Sequence, residues 1–132
     1  MTIYLDFDGT VVEHAYPEIG AANPHALRVI GKLQTSGHHI ILNTYRADLN
    51  DGSLEEALAY LHESKEIEPI LENLPLKVHP PKFNLDEAIL KNVLFIDDIS
   101  EGTPMRPNKT LEYGIMVDWI ELERLLINTQ II

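Results

Sequence analysis

Two carboxylates separated by one aromatic residue stand where a short apolar run ends, in Asp6-Phe7-Asp8-Gly9-Thr10 directly after Thr2-Ile3-Tyr4-Leu5. Side chains alternate along an extended segment, so Asp6 and Asp8 project roughly the same way while Phe7 turns toward the core. Gly9-Thr10 then forces the chain away from the strand. Two acids on one face make a cation site, and the arrangement suits phosphoryl chemistry. Asp and Gly are also ordinary turn residues, but here the whole pentapeptide follows a buried-type strand. A second acidic pair, Asp97-Asp98, ends another uninterrupted apolar run, Val93-Leu94-Phe95-Ile96. Adjacent acids there also call for a cation.

Further elements have to bring these pairs together. Ile40-Ile41-Leu42-Asn43 reads as a strand covered on both faces, with Thr44 at its end. Leu76-Lys77-Val78 reads as a short third strand, and the prolines of His79-Pro80-Pro81-Lys82-Phe83 put Lys82 in a stiff loop after it. Tyr113 to Val117 reads as the last strand, and Ser100 to Asn108 as a loop near the same edge. Helices are expected between them. Asn23 would cap one with Pro24 at its first position and Gly37 at its end, Ser53 and Glu56 form a capping-box pattern, and Asn84 with Glu87 and Asp118 with Glu121 start two more.

This alternation predicts a three-layer α/β/α Rossmann-like fold with a mostly parallel five-stranded sheet, in one domain over residues 1–132. In such folds the site lies outside the carboxyl ends of the strands. Asp6, Asp8, Thr44, Lys82, Asp97 and Asp98 all follow strands at that edge, so four strand ends supply residue types fit for phosphoryl transfer. His38-His39 open a strand at the opposite end, which makes them edge histidines rather than metal ligands.

Composition narrows the classes. No apolar run approaches the roughly 20 residues that cross a bilayer, and the start has no basic region before its apolar stretch, so a cytoplasmic location without membrane contact is expected. With no cysteine, any metal is held by oxygen or imidazole. The formal net charge of −11 disfavours nucleic acid as a partner.

Asp6-Phe7-Asp8-Gly9-Thr10 resembles motif I of the haloacid dehalogenase-like superfamily, Asp-x-Asp-x-Thr, and Thr44, Lys82 and Asp97-Asp98 match its other three motifs by position. The loops after Thr10 and Thr44 are too short for the cap domains of many relatives, so the chain looks like a member with no sizeable cap. The resemblance implies a Mg²⁺-dependent phosphomonoesterase. Asp6 would attack phosphorus to give an aspartyl-phosphate, and Asp8 would act as general acid and then base. Mg²⁺ would be held by Asp6, the backbone carbonyl of Asp8, and Asp97 or Asp98. Thr44 and Lys82, with Gly9 and Thr10 of motif I, would bind the phosphoryl oxygens. Lys91 competes with Lys82 for the lysine's role, Lys82 being preferred because it follows a strand at the active edge. Arg46 is read as an exposed loop residue with some prospect of meeting a second anionic group, and Glu13 and His14 as loop residues near the site.

Two other readings stand beside this one. A phospho-acceptor signalling domain would end its third strand in Asp, whereas here His79-Pro80-Pro81 follows it. A non-catalytic phosphate- or partner-binding domain of the same fold is the alternative that remains, although an intact Asp6/Asp8 pair exceeds what binding requires. Within the enzyme reading the expected substrate is a phosphorylated small molecule or macromolecule.

Overall fold

Thr2–Leu5 forms β1, the middle strand of a parallel sheet in the order β2-β1-β3, with β2 at His39–Leu42 and β3 at Val93–Ile96. The structure is a computed structural model and describes residues 1–107 and 114–132. Register is set by the pairs Leu5 with Leu42 and Leu5 with Ile96, so all three strands end at one level. Ile3, Leu5, Leu94 and Ile96 are buried on one face. Removing each such side chain from water contributes about 1.5–3 kcal/mol, which pins the register, since a one-residue slip would turn them outward. On the other face Tyr4 stacks on Phe95 with ring centres 4.9 Å apart.

Helix α1, Ala26–Thr35, connects β1 to β2 and buries Ala26, Val29, Ile30 and Leu33. Between β2 and β3 lie a single turn, α2 (Arg46–Leu49), then α3 (Ser53–Glu63) and α4 (Leu85–Lys91). Asn84 caps α4 as its sequence suggests, accepting from the Glu87 amide. Asn23 does not cap α1, which starts after His25 in a left-handed conformation; the Asn23 amide is used elsewhere. The chain closes with α5, Trp119–Asn128, capped by Asp118 through the Glu121 amide. No helix among the described residues is long and apolar enough to cross a membrane.

The expected five-stranded, mostly parallel sheet is not what forms. Among the described residues there is the three-stranded parallel sheet and a separate antiparallel pair, β4 (Met105–Pro107) with β5 (Ile115–Val117). Two local causes account for the difference. A parallel strand after β3 needs a crossover of a dozen or more residues, but the segment after β3 contains β4, and the short connection from β4 to β5 permits only a hairpin-like antiparallel pairing. Met105–Pro107 falls in what reads from sequence as a loop, whose last residue Asn108 lies outside the described residues, as does Tyr113. The proposed third strand at Leu76-Lys77-Val78 is bracketed by Pro75, Pro80 and Pro81 and, among the described residues, pairs with nothing as a strand. Its nearest equivalent is one parallel bridge, Leu42 with Asn73, made by Leu42 N–H to Glu72 O and Leu74 N–H to Leu42 O, each 2.9 Å.

A charge cluster ties the first helix to the last. Glu123 of α5 accepts from Arg28 at 2.7 Å and from Lys32 at 2.7 Å, both on α1. Those hydrogen bonds, Arg28's first, hold the Glu123 carboxyl down at about 2, from an ordinary 4.5. A depressed carboxyl stabilises the fold above its unfolded value and loses that contribution as pH falls through the folded one. Both cations are partly solvated, which keeps the gain near 1 kcal/mol. Glu123→Gln should therefore lower unfolding free energy by about 1 kcal/mol at pH 7, with the deficit shrinking below pH about 4.5 and gone by about 2. Urea titrations of both proteins across that range check it.

Candidate active site

The common level of the strand ends puts three segments side by side: Asp6 after β1, Asn43-Thr44 after β2, and Asp97-Asp98 after β3. Backbone bonds lock the level, Asp6 N–H to Ile96 O at 2.9 Å and Asn43 N–H to Leu5 O at 2.7 Å. Phe7 turns inward as expected, fully buried and edge-on to Tyr60. Asp6, Asp97 and Asp98 each offer an oxygen within 4.8 Å of the others.

The lysine in this group is Lys77. Its ammonium, with only 1% of the side chain exposed, donates to Asp6 Oδ1 at 3.0 Å, to the Asn43 carbonyl at 3.0 Å and to Asp97 Oδ2. Lys82 and Lys91 are exposed and line a different hollow, beside α4 and β3. Neither reaches the carboxylates. Lys77 arrives without strand pairing because Asn43 replaces the ladder: its amide donates to Val78 O and its oxygen accepts from Val78 N–H, both at 2.8 Å. Asp48 adds a bond to the Lys77 amide at 2.6 Å. Reading a Lys in the middle of a short apolar run as strand concealed it; the Asn at the end of β2 was the available signal.

Asp6 is oriented from both sides. Oδ2 accepts from the Thr10 hydroxyl at 2.9 Å, and the Thr10 carbonyl in turn accepts from Trp119 Nε1 at 2.7 Å and Asn23 Nδ2 at 2.8 Å. Trp119 and Asn23 thus position the motif from remote parts of the chain, and nothing in the local sequence points to them. The Thr10 hydroxyl is spent on Asp6 and the Gly9 amide donates to Val12 O at 2.8 Å, so neither is free for a phosphate as the resemblance would have it. Thr44 is buried and accepts from the Arg46 amide at 3.2 Å, which leaves its own hydrogen to donate into the cleft.

Asp8 lies in a different environment. Arg46 grips it with Nε to Oδ2 at 2.7 Å and Nη2 to Oδ1 at 2.8 Å, a two-point geometry that only arginine offers. The rest of the guanidinium donates to the carbonyls of Pro17, Glu18 and Ser53. Arg46 is only 1% exposed, so it is neither the exposed loop residue read from sequence nor free for a substrate anion. With its carboxylate on Arg46, Asp8 could serve a cation only through its backbone carbonyl.

Electrostatics separate the acids. Burial pushes the Asp6 carboxyl well above the usual range, Asp97 pushes it further, and Lys77 only partly offsets them. Asp97 is raised by burial against the pull of Lys77. Burial acts upward on Asp98 too, but hydrogen bonds from His14 and from the Asp6 carboxyl outweigh it and leave Asp98 low. Lys77 is lowered by burial yet ends high because Asp6 and Asp97 face it. His14, bonded to Asp98 at 2.7 Å, is raised by that bond. The group therefore has an unmet demand for positive charge. Asp6, Asp97 and Asp98, hard oxygen donors converging with too little cation, could hold a metal ion.

Gly9 makes room for this pairing. Its φ is +78°, and a Cβ there would land on the His14 ring nitrogen and the Asp98 carboxylate. Gly9→Ala is expected to part His14 from Asp98, costing roughly 1–2 kcal/mol. An NMR titration should find the His14 pKa lowered toward its ordinary 6.5. An unchanged His14 would contradict the geometry.

The whole group floors a cleft of about 250 Å³, whose walls include Tyr16, Tyr45, Leu49 and Ile99. No family model and no curated protein matches the chain. Among solved structures it is similar to a conserved protein from Bacteroides thetaiotaomicron, with 26% identity, 98% of this chain and 91% of that one covered, and a TM-score of 0.61.

Proposed function

We propose that the chain is a haloacid dehalogenase-like phosphohydrolase that cleaves phosphomonoesters with Mg²⁺ through an aspartyl-phosphate on Asp6. The observation that carries the reading is the convergence of Asp6, Asp97, Asp98 and Lys77 at one end of the parallel sheet. A binding site for phosphate alone has no use for so many acids. Bound Mg²⁺, held by Asp6, the Asp8 carbonyl, and Asp97 or Asp98, would supply neutralising charge for the meeting of carboxylate and phosphate.

Within that frame each residue has one task. An Asp6 oxygen bonds to phosphorus in line as the bond to the ester oxygen breaks, and that oxygen leaves with the electron pair and takes a proton from Asp8. Water then bonds to phosphorus, Asp8 takes its proton, and the bond to Asp6 breaks to restore the carboxylate. Lys77, rather than Lys82, holds Asp6 and sets its positive charge beside the phosphoryl oxygens, with the Thr44 hydroxyl as the donor to them. For Asp8 to serve the leaving oxygen, one of its bonds to Arg46 has to open and its carboxylate has to take up a proton before the first step.

That last requirement favours a second reading, a phosphate- or partner-binding domain without turnover, in which Asp8 stays on Arg46. Phosphate release from a broad ester panel, with Mg²⁺ and with EDTA, separates the two. The hydrolase reading expects release that EDTA abolishes. It also expects a loss of roughly 10²–10³-fold in Lys77→Ala, as for removal of one group that stabilises transition-state charge, and wild-type rates in Lys82→Ala. Silence across the panel from folded protein would leave the binding domain.

A further inference from the structure

Every cation among the described residues that line the cleft is already committed. Lys77 spends its N–H groups on Asp6, Asp97 and the Asn43 carbonyl. Arg46 spends its own on Asp8 and the carbonyls of Pro17, Glu18 and Ser53. His14 is on Asp98. Among the described lining residues no basic group is left to receive a second anion, while Asp6, Asp8, Asp97 and Asp98 would repel one at short range.

The mouth is of the opposite character. Tyr16, Tyr45, Leu49 and Ile99 are 47%, 51%, 48% and 44% exposed, unusual for large apolar side chains gathered around one opening. They come from the segments after all three parallel strands, so they surround the carboxylates. Tyr45 and Leu49 are four residues apart around α2 and share a side of that turn. The Tyr16 hydroxyl is tied to Asp51, which steadies its ring. The Tyr45 hydroxyl makes no hydrogen bond among the described residues, and the ring centre is 5.1 Å from the Lys77 ammonium. A flat group next to a bound phosphate would therefore meet it face on. The cleft, about 250 Å³, falls below the roughly 300–1,000 Å³ typical of drug-sized ligands, so the group is small.

We infer that the cleft is built for a small phosphomonoester with a single phosphate and an uncharged leaving group that carries a flat apolar ring close to that phosphate, with Tyr45 and Leu49 as its selectors. The inference rests on the phosphohydrolase reading and names its substrate class.

Benzyl phosphate and n-butyl phosphate test it, because their alcohols are of similar acidity and the ring is what differs. With Mg²⁺ and the full chain, kcat/KM for the benzyl ester should exceed that for the butyl ester by roughly tenfold. Butane-1,4-diyl bisphosphate should be the poorest of the three. Tyr45→Ala and Leu49→Ala, both at exposed positions, should each cut the benzyl-to-butyl ratio severalfold. Calorimetric Kd values for benzylphosphonate and n-butylphosphonate should differ in the same direction in the wild type and converge in Tyr45→Ala, a readout that needs no turnover. Turnover with a ratio within about twofold, or a preference for the bisphosphate, overturns the inference and leaves the hydrolase reading standing. No release from any ester overturns both.

Discussion

Asp6→Asn is expected to reduce phosphate release by roughly 10⁴-fold or more, the scale on which losing a nucleophile abolishes covalent catalysis. The amide keeps the shape of the carboxyl and can still accept from Thr10, but it has no oxygen able to form the acyl phosphate. Stability should move the other way. The Asp6 carboxyl is raised by burial and by Asp97, so the folded chain holds its proton more tightly than the unfolded chain does. For an acid of this kind, stability falls as pH climbs from the ordinary carboxyl value through the raised one. The uncharged amide escapes that loss. Without divalent cation at pH 8, Asp6→Asn should be no less stable than the wild type, and its stability should vary less with pH over that range. Phosphate assays with Mg²⁺ and urea titrations with EDTA give both numbers, and wild-type turnover in the variant would refute the mechanism.

Arg46→Ala should cost about 3–5 kcal/mol of unfolding free energy, the range for stripping a buried charge of its partner. Set against the 5–15 kcal/mol of a typical domain, that is a large share. The guanidinium joins Asp8 of motif I to the carbonyls of Pro17, Glu18 and Ser53, and lies 5.3 Å from the ring centres of both Phe7 and Tyr16. Alanine would leave those acceptors buried without donors. Arg46→Lys keeps the charge but not the fork, and should recover only part of the loss. A urea midpoint in Arg46→Ala near that of the wild type would mean Asp8 and the carbonyls find water instead, and would disprove the anchoring role.

Much of the site was readable because it depends on strand ends. An apolar run followed by acids reports its own position, and Asp6, Thr44, Asp97 and Asp98 lie together in the cleft. Lys82 was misread because the strand assigned before it does not exist: Leu76-Lys77-Val78 is held by Asn43, not by a ladder. Sequence periodicity registers which residues are apolar, but not whether a side chain has taken over the pairing of a backbone. The sheet was misjudged for a related reason. Alternating apolar runs say how many strands could form, whereas parallel pairing depends on the length and content of each connection, and the β4–β5 connection is too short for a crossover.

What the sequence by itself determined is the set of elements around β1, β2 and β3 and the acids that follow them, since alternation, burial and turn chemistry act over a few residues. The tertiary structure decided which lysine meets those acids, that Arg46 clasps Asp8, and that Trp119 and Asn23 hold Thr10 in place. These are contacts between residues far apart in the chain. Their partners are chosen by the unmet hydrogen bonds and charges of a buried interior, which exist only once the interior has closed.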